Sequence, residues 1–270
     1  MPADRLFRSD RVSAIAHRGG SKLRPENTRA AFEHALSLGV DGLECDVHLS
    51  RDGVPVVIHD PTLDRTTEAS GPVAARTAAE LSGIDAGFRF GESDGFPFRG
   101  RGVRVPALAE MLDLSADTPV IVEFKGEDPA IVPPVLEVVR RARRPDRVMF
   151  GGFSHAVLEA ARALAPDVPT SASRVEIERA IRRAYFRLGP GRTGCTLFQV
   201  PIRFHGREIL TAGLTRILRR AGYEVHSWII DDPDEMRRVS EWGVTGVISD
   251  RPDMAVAFPS SLVPRPSSVR

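Results

Sequence analysis

The residues best suited to chemistry are concentrated in one stretch, 41–60, which reads DGLECDVHLSRDGVPVVIHD. If 41–48 is a strand, its side chains alternate between two faces, so that Glu44 and Asp46 share one face and three apolar residues share the other. Two carboxylates on a buried face repel each other unless a cation lies between them. The face therefore binds a hard divalent cation such as Mg²⁺ or Ca²⁺, or it is a solvated edge.

The elements around this stretch form a regular series. Eight apolar runs have the length and flanks of buried strands, and they begin near residues 12, 41, 119, 147, 168, 195, 224 and 245. Most are followed by a helical pattern, such as the one that Asn27 or Thr28 can cap and Gly39 can end, and the one predicted over 208–221. Eight such units in about 250 residues predict a (β/α)₈ barrel. A doubly wound sheet is the alternative, but residues 17–20 (HRGG) lack its glycine-rich phosphate loop.

Residues 61–105 break this rhythm with seven glycines and four phenylalanines. A long irregular segment inside a compact domain is typically a lid, a binding loop or a small inserted subdomain. We therefore expect one domain, 1–258, with an insertion at 61–105. The Pro/Ser-rich residues 259–270 are expected to form a disordered tail.

The polar residues fall where the predicted strands end, and active sites of such barrels lie at that rim. They are His17 and Arg18 on the first strand, Glu44 and Asp46 on the second, Glu123 and Lys125 on the third, Gln199 on the sixth and Trp228 on the seventh. Three carboxylates predict a hard-cation site with positions left for substrate oxygen. Arg18 and Lys125 suit a phosphate, and His17 and His59 can supply acid and base near neutral pH.

The overall composition excludes several function classes. With 37 basic and 36 acidic residues the net charge is +1, so no global field recruits nucleic acid or an anionic membrane. The two cysteines suggest no disulfide framework, and no apolar run reaches the length of a membrane span. Because the N-terminal residues lack a basic region followed by a long apolar stretch, we expect a cytoplasmic protein.

Several motifs together resemble the glycerophosphodiester phosphodiesterase family, over about residues 15–252. They are H-R-G at 17–19, P-E-N-T at 25–28, E-C-D-V at 44–47, H-D at 59–60, L-x-R-T-T at 63–67, E-x-K at 123–125, F-S-H at 153–155 and G-V-x-G-V-I-S-D at 243–250. The resemblance implies a (β/α)₈ barrel with an insertion after the second strand. It implies metal ligation by Glu44, Asp46 and Glu123, acid–base catalysis by His17 and His59, and phosphate binding by Arg18 and Lys125.

One departure from the family pattern lies at 228–231, where W-I-I-D stands in place of the frequent W-T-V-N. Trp228 is kept, but a polar residue is lost and Asp231 replaces an asparagine. The resemblance therefore does not define the pocket for the leaving group. Gln199 and Trp228 are candidates for substrate binding.

The expected function is hydrolysis of glycerophosphodiesters, such as deacylated phospholipids, to glycerol 3-phosphate and an alcohol, with one divalent cation. We expect His17 to be the general base and His59 the general acid, although the reverse assignment stays open. Two alternatives remain. A lyase acting on lysophospholipids or sphingomyelin would accumulate a cyclic phosphate, and a non-catalytic phosphate-binding barrel would lack a ligand or a histidine.

Overall fold

The structure is a computed structural model that describes residues 6–7, 10–115 and 117–258. The strands in these ranges are β1 (Ser13–Ala16), β2 (Gly42–Leu49), β3 (Pro55–Val57), β4 (Val120–Phe124), β5 (Val148–Gly152), β6 (Leu197–Pro201), β7 (Arg203–Phe204), β8 (Arg207–Glu208), β9 (Glu224–Trp228) and β10 (Gly246–Ser249). The α-helices are α1 (Arg29–Leu38), α2 (Ala78–Leu81), α3 (Leu108–Ser115), α4 (Val132–Arg141), α5 (His155–Leu164), α6 (Arg174–Tyr185), α7 (Ala212–Arg220), α8 (Pro233–Glu241) and α9 (Pro252–Ala257). None of these helices has the length and apolar character needed to cross a bilayer.

Seven parallel strands form a curved sheet in the order β5-β4-β2-β1-β10-β9-β6. The extended segment 168–172 fills the gap between β5 and β6 and closes the sheet into a barrel. On one side of the gap, the Ser171 amide donates to the Phe150 carbonyl at 2.8 Å. On the other, the Ala172 amide donates to the Leu197 carbonyl at 2.8 Å. The predicted (β/α)₈ barrel is therefore confirmed, although its strand at 168–171 forms only isolated bridges. Pro169 contributes to this irregularity because it has no N–H to donate to a ladder.

Two hairpins extend beyond the regular βα units. Strand β3 runs antiparallel to β2 and returns the chain to the carboxyl end of the barrel, where His59 follows. After β6, the small β7–β8 hairpin takes up residues 203–208. The helix that the sequence predicts over 208–221 consequently begins only at residue 212, where the Thr211 side chain caps the Leu214 amide.

Helix α1 follows the local signals in the sequence closely. The Thr28 hydroxyl accepts a hydrogen bond from the Ala31 amide at 3.3 Å, which confirms the predicted cap. Gly39 ends the helix in the left-handed region, with φ at 78°, a conformation that suits glycine. Between these ends, Phe32 is fully buried and packs the helix against the sheet.

Apolar side chains fill most of the barrel interior below the polar rim. A cluster of buried side chains from five strands fills it, namely Ile15, Ile121, Met149, Leu197 and Ile248. Two larger clusters fill the space between the outer face of the strands and the helices. This packing gives the side chains at the carboxyl ends of the strands a rigid floor.

The segment 61–105 has a small apolar core of its own, which Val56 and Ile58 join to the barrel. Its phenylalanines are half-buried and contact one another and nearby arginines. Phe90 and Phe98 pack edge to face at 5.5 Å, and the Arg99 guanidinium lies 3.7 Å from the ring centre of Phe96. The segment is thus a small packed unit beside the barrel mouth. The tail expected at 259–270 lies outside the described residues.

Candidate active site

Three carboxylates from two adjacent strands meet at the barrel mouth. Parallel pairing of β2 with β4 places Asp46 beside Glu123 and puts Glu44 one step lower on the same face. Each of the three offers an oxygen within 4.8 Å of the others. Glu44 is 3% and Asp46 1% exposed, so neither carboxylate is solvated as a surface edge would be. The structure therefore favours the cation site over the solvated edge.

The electrostatics of Glu44 fit a bound cation. Its Oε2 accepts a hydrogen bond from the Arg18 backbone amide at 3.0 Å, but its Oε1 is buried without a partner among the described residues. Burial, and then the charge of Asp46, raise the pKa of Glu44 to about 8. A buried carboxylate oxygen with no donor is costly, and a hard divalent ion held by this oxygen together with the other two carboxylates would relieve the cost.

Two side-chain cations stabilise the ionised form of the neighbouring Asp46. Lys125 Nζ lies 2.8 Å from Asp46 Oδ1 and also contacts the carboxylate of Glu123. Arg18 Nε lies 3.1 Å from Asp46 Oδ2. Burial alone would raise the pKa of Asp46, but these two charges outweigh it and lower the pKa. The pKa values of two carboxylates on one strand face are thus shifted in opposite directions, up for Glu44 and down for Asp46.

The backbone after β1 explains the motif H-R-G. Arg18 has a φ of 51° and Gly19 a φ of 80°, so the chain turns sharply within these two residues. A Cβ on Gly19 would lie 2.7 Å from the Cβ of Ala31, so only glycine allows α1 to pack this closely. The turn aims His17 and the Arg18 amide at Glu44, with His17 Nε2 at 3.9 Å from Glu44 Oε2.

Each predicted catalytic histidine is held by its own carboxylate. His17 Nδ1 lies 2.6 Å from Asp250 Oδ1, and His59 Nδ1 lies 2.6 Å from Asp60 Oδ1. Burial, the strongest influence on His17, lowers its pKa, but the hydrogen bond to Asp250 and the charge of Glu44 raise it further than burial lowers it. Because Nδ1 is engaged in both rings, Nε2 is the nitrogen left for proton exchange.

Arg65 connects the two halves of the site. Its Nε donates to Asp60 Oδ2 at 2.6 Å, and its two terminal nitrogens donate to the two oxygens of Glu26, both at 2.8 Å. Glu26 in turn accepts from Arg18 Nη1 at 3.0 Å. Burial alone would raise the pKa of Asp60, but the hydrogen bonds from Arg65 and His59 lower it to about 2. Asp60 is therefore a charged partner for its histidine near neutral pH.

The sequence alone assigned no role in the site to these supporting residues, and it considered Asn27 only as a possible helix cap. The Asn27 amide donates to Asp46 Oδ2 at 2.7 Å, and its Oδ1 accepts from the Asp46 backbone amide at 3.3 Å. The motifs P-E-N-T, H-D and L-x-R-T-T contain Glu26, Asn27, Asp60 and Arg65, so a signal was present. The residues that these side chains contact could not be read from their spacing.

The mouth encloses a cavity of about 160 Å³ with one charged side and one apolar side. All the predicted site residues except Asp46 line it, namely His17, Arg18, Glu44, His59, Glu123, Lys125, Gln199 and Trp228. The apolar side includes Phe153, which packs edge to face on Trp228 at 5.9 Å, and Ile229. Phe153 and Ile229 are 44% and 37% exposed, so this wall opens to solvent.

The departure at Asp231 has a structural explanation. Asp231 Oδ1 accepts hydrogen bonds from the Ser249 hydroxyl and the Asp250 amide, both at 2.8 Å. Its Oδ2 accepts from Lys22 Nζ at 2.8 Å. Aspartate at this position therefore binds the loop after β1 to the loop after β10, which carries the partner of His17. The residue that faces the cavity beside Trp228 is Ile229.

Comparison with known proteins agrees with this geometry. A glycerophosphodiester phosphodiesterase of Caldanaerobacter subterraneus subsp. tengcongensis is 32% identical over 252 residues, which cover 90% of this chain and 95% of the relative. The crystal structure of a glycerophosphodiester phosphodiesterase from Agrobacterium tumefaciens has a TM-score of 0.74 at 29% identity and covers 91% of this chain and 99% of its own.

An Oleispira antarctica phosphodiesterase, solved in complex with the product sn-glycerol-3-phosphate, has a TM-score of 0.74 at 26% identity, with 90% of this chain and 94% of the other covered. The sequence profile of the Glycerophosphoryl diester phosphodiesterase family matches residues 17–254, which include every candidate site residue. The chain therefore belongs to the glycerophosphoryl diester phosphodiesterase family.

Proposed function

We propose that this protein hydrolyses glycerophosphodiesters to glycerol 3-phosphate and an alcohol, with one divalent cation, Mg²⁺ or Ca²⁺, held by Glu44, Asp46 and Glu123. The observation that carries the proposal is the buried Oε1 of Glu44, which has no partner in the part of the chain that the structure describes. It lies in a cluster of three carboxylates, beside two histidines that are each held by a carboxylate. When bound, such a cation offsets phosphate charge and makes a neighbouring water or hydroxyl more acidic. The ligand set contains oxygen only, which suits hard ions.

In this proposal, the histidines move the protons. His17 Nε2 takes the proton of the attacking oxygen, a bond from that oxygen to phosphorus forms, and the bond from phosphorus to the leaving alcohol oxygen breaks. His59 Nε2 gives its proton to that alcohol. His17 is the deeper of the two, with 12% of its side chain exposed against 31% for His59, and its Nε2 lies 3.9 Å from Glu44 Oε2. Asp250 and Asp60 stabilise each ring when it is protonated.

The other cavity residues bind and orient the substrate in this proposal. Lys125 and Arg18 place positive charge beside the carboxylates, where it can stabilise phosphate oxygens. Gln199 can donate to a glycerol or phosphate oxygen, and Trp228 with Phe153 forms the wall against which the leaving alcohol lies.

Residues 1–258 act as one domain, and the two buried, unpaired cysteines fit a reducing, cytoplasmic compartment.

A substrate panel with cation titration tests the function. We expect protein stripped with EDTA to be inactive on glycerophosphocholine and glycerophosphoethanolamine, and Mg²⁺ or Ca²⁺ to restore turnover. Glu123→Gln should lower cation affinity and be partly rescued by excess cation. Glu33→Gln, which removes an exposed carboxylate on α1, is the matched control and should behave as the wild type.

The products separate the alternatives. Phosphorus NMR should detect glycerol 3-phosphate from the start of the reaction. Accumulation of a cyclic phosphate would instead assign the protein to the lyases, and phosphate binding without turnover of any diester would indicate a binding barrel. Full activity of the stripped protein would contradict the role of the cation.

A further inference from the structure

The end of α6 and the loop after it expose apolar side chains on the far side of the barrel. Tyr185 is 85%, Phe186 71% and Leu188 49% exposed, and the two aromatic rings pack edge to face at 5.3 Å. Single exposed apolar residues are common on protein surfaces. Three of them within four residues, two of them aromatic, form an apolar patch of the kind that marks an interaction site.

The same segment is strongly basic. Residues 179–192 contain no acidic residue and five arginines, namely Arg179, Arg182, Arg183, Arg187 and Arg192. Within the described ranges, two of them donate to backbone carbonyls of the segment, and none forms an ion pair. Some arginines at the ends of other helices do form ion pairs, since Arg141 pairs with Glu137 and Arg238 with Glu208.

Favourable interaction with the helix dipole accounts for only part of this pattern. Cations in the last turn stabilise the carboxyl end of a helix, which is sufficient for Arg182 and Arg183. It does not account for Arg187 and Arg192, which follow the helix, or for the exposed aromatic rings. The segment therefore fits a partner that offers negative charge for the arginines and an apolar environment for the rings.

The patch lies at the opposite end of the barrel from the catalytic cavity. Ala172 and Ile177, at the start of α6, line the cavity. The helix, Arg174–Tyr185, is 12 residues or about 18 Å long, and Tyr185 is its last residue. A partner bound at the patch would therefore leave the barrel mouth open to water.

We propose that residues 179–192 dock this protein on an anionic lipid surface. Aromatic and leucine side chains enter the interface between headgroups and acyl chains, and arginines bind the lipid phosphates around them. A lipid surface fits the patch because it offers negative charge and an apolar layer together, which matches five arginines around apolar side chains that expose on the order of 400 Å². The inference concerns a surface outside the catalytic site and does not depend on the proposed function.

Vesicle flotation with the full chain tests this surface. We expect the protein to float with phosphatidylcholine vesicles that contain phosphatidylglycerol, and not with phosphatidylcholine alone. Since each arginine near an anionic surface contributes about fivefold, the double variant Arg182→Gln/Arg187→Gln should bind roughly 25-fold more weakly. Added salt should release the protein because it screens these charges.

The aromatic side chains have their own variant and control. Tyr185→Ser/Phe186→Ser should abolish flotation while turnover of soluble glycerophosphocholine stays at the wild-type level. Phe204→Ser, which removes a 39% exposed ring from the β7–β8 hairpin, should float as the wild type does.

Three results would overturn the proposal. They are wild-type protein that does not float at low salt, flotation that persists in the Tyr185→Ser/Phe186→Ser variant, and equal binding to neutral vesicles. Dimerisation or duplex DNA binding that depends on the same residues, without flotation, would assign the patch to another partner. Circular dichroism of each variant checks that the fold is kept.

Discussion

Competition between a proton and the cation at Glu44 is the sharpest quantitative expectation from the site. Glu44 is 3% exposed, its pKa is raised to about 8, and its Oε1 has no donor among the described residues. Below that pH the carboxyl is protonated, so a cation must displace the proton before all three carboxylates can bind it. Apparent cation affinity should therefore fall about tenfold per pH unit, or about a hundredfold two units below this pKa, equivalent to ~2.7 kcal/mol.

Titration calorimetry in two buffers with different ionisation heats measures the cation affinity and the number of protons released on binding. We expect about one proton to be released per cation well below the pKa, and almost none above it. Glu44→Gln removes the competing proton, so its cation affinity should be weaker than that of the wild type but nearly independent of pH. His17, whose Nε2 lies 3.9 Å from Glu44, is the main competing explanation, and His17→Asn is the control.

A flat affinity across this range, without proton release, would refute the reasoning. A slope that survives in Glu44→Gln but disappears in His17→Asn would transfer the effect to the histidine. The sign of the stability effect is a second check. Because the folded pKa is raised, the metal-free protein binds the proton more tightly when folded and should lose stability as pH rises from the ordinary value of 4.5 towards 8. Added cation should restore this loss.

The remaining predictions concern the histidines, their supporting residues and the core. The activity of His59→Ala on glycerophosphocholine should fall about 10²–10⁴-fold, but much activity on bis(p-nitrophenyl) phosphate should remain because its leaving group needs no proton. The activity of His17→Ala should fall on both substrates. If His17→Ala is instead the variant that keeps activity on the nitrophenyl diester, the two roles are reversed. The hydrogen bond from His17 to Asp250 raises the pKa of His17, so Asp250→Asn should lower it and shift the acidic limb of the kcat/KM profile to lower pH; an unshifted limb would mean that His17 is not the base. Arg65→Gln should lower kcat about tenfold with little change in KM, and Arg65→Lys should recover only part of the loss because an ammonium cannot span both carboxylate partners; a pure KM effect would contradict this positioning role. Phe32→Ala should destabilise the protein by about 3–5 kcal/mol in urea unfolding without changing the activity per folded molecule, and a much smaller cost would mean that the site collapses around the deletion.

Local chemistry explains why much of α1 could be predicted. Thr28 and Gly39 act at the two ends of the helix through contacts with residues no more than three positions away. Such short-range interactions depend on residue type and spacing, which the sequence contains. The start of α7 was predicted too early because the β7–β8 hairpin before it has no strong local signal in the sequence. The pairing of these two short strands forms only in the folded protein.

The sequence by itself determined the class of fold and the identity of the candidate site. Apolar runs that alternate with helical patterns require a parallel sheet with helices on its faces, and polar residues at the ends of those runs must gather at one rim. The carboxylates, histidines and cations could therefore be assigned to one mouth before any contact was known. Their residue types also restricted the chemistry to hard-cation and proton-transfer reactions.

Only the tertiary structure decided how these groups influence one another. His17 and Asp250 are 233 residues apart in the chain, and their hydrogen bond exists because β1 and β10 pair in the closed barrel. Glu44 and Asp46 share one strand face, yet the pKa of Glu44 is raised and that of Asp46 is lowered, because the side chains of Lys125 and Arg18 form ion pairs with Asp46 rather than with Glu44. Burial and the distances between charges set these pKa shifts, and both arise only when the strands are packed together.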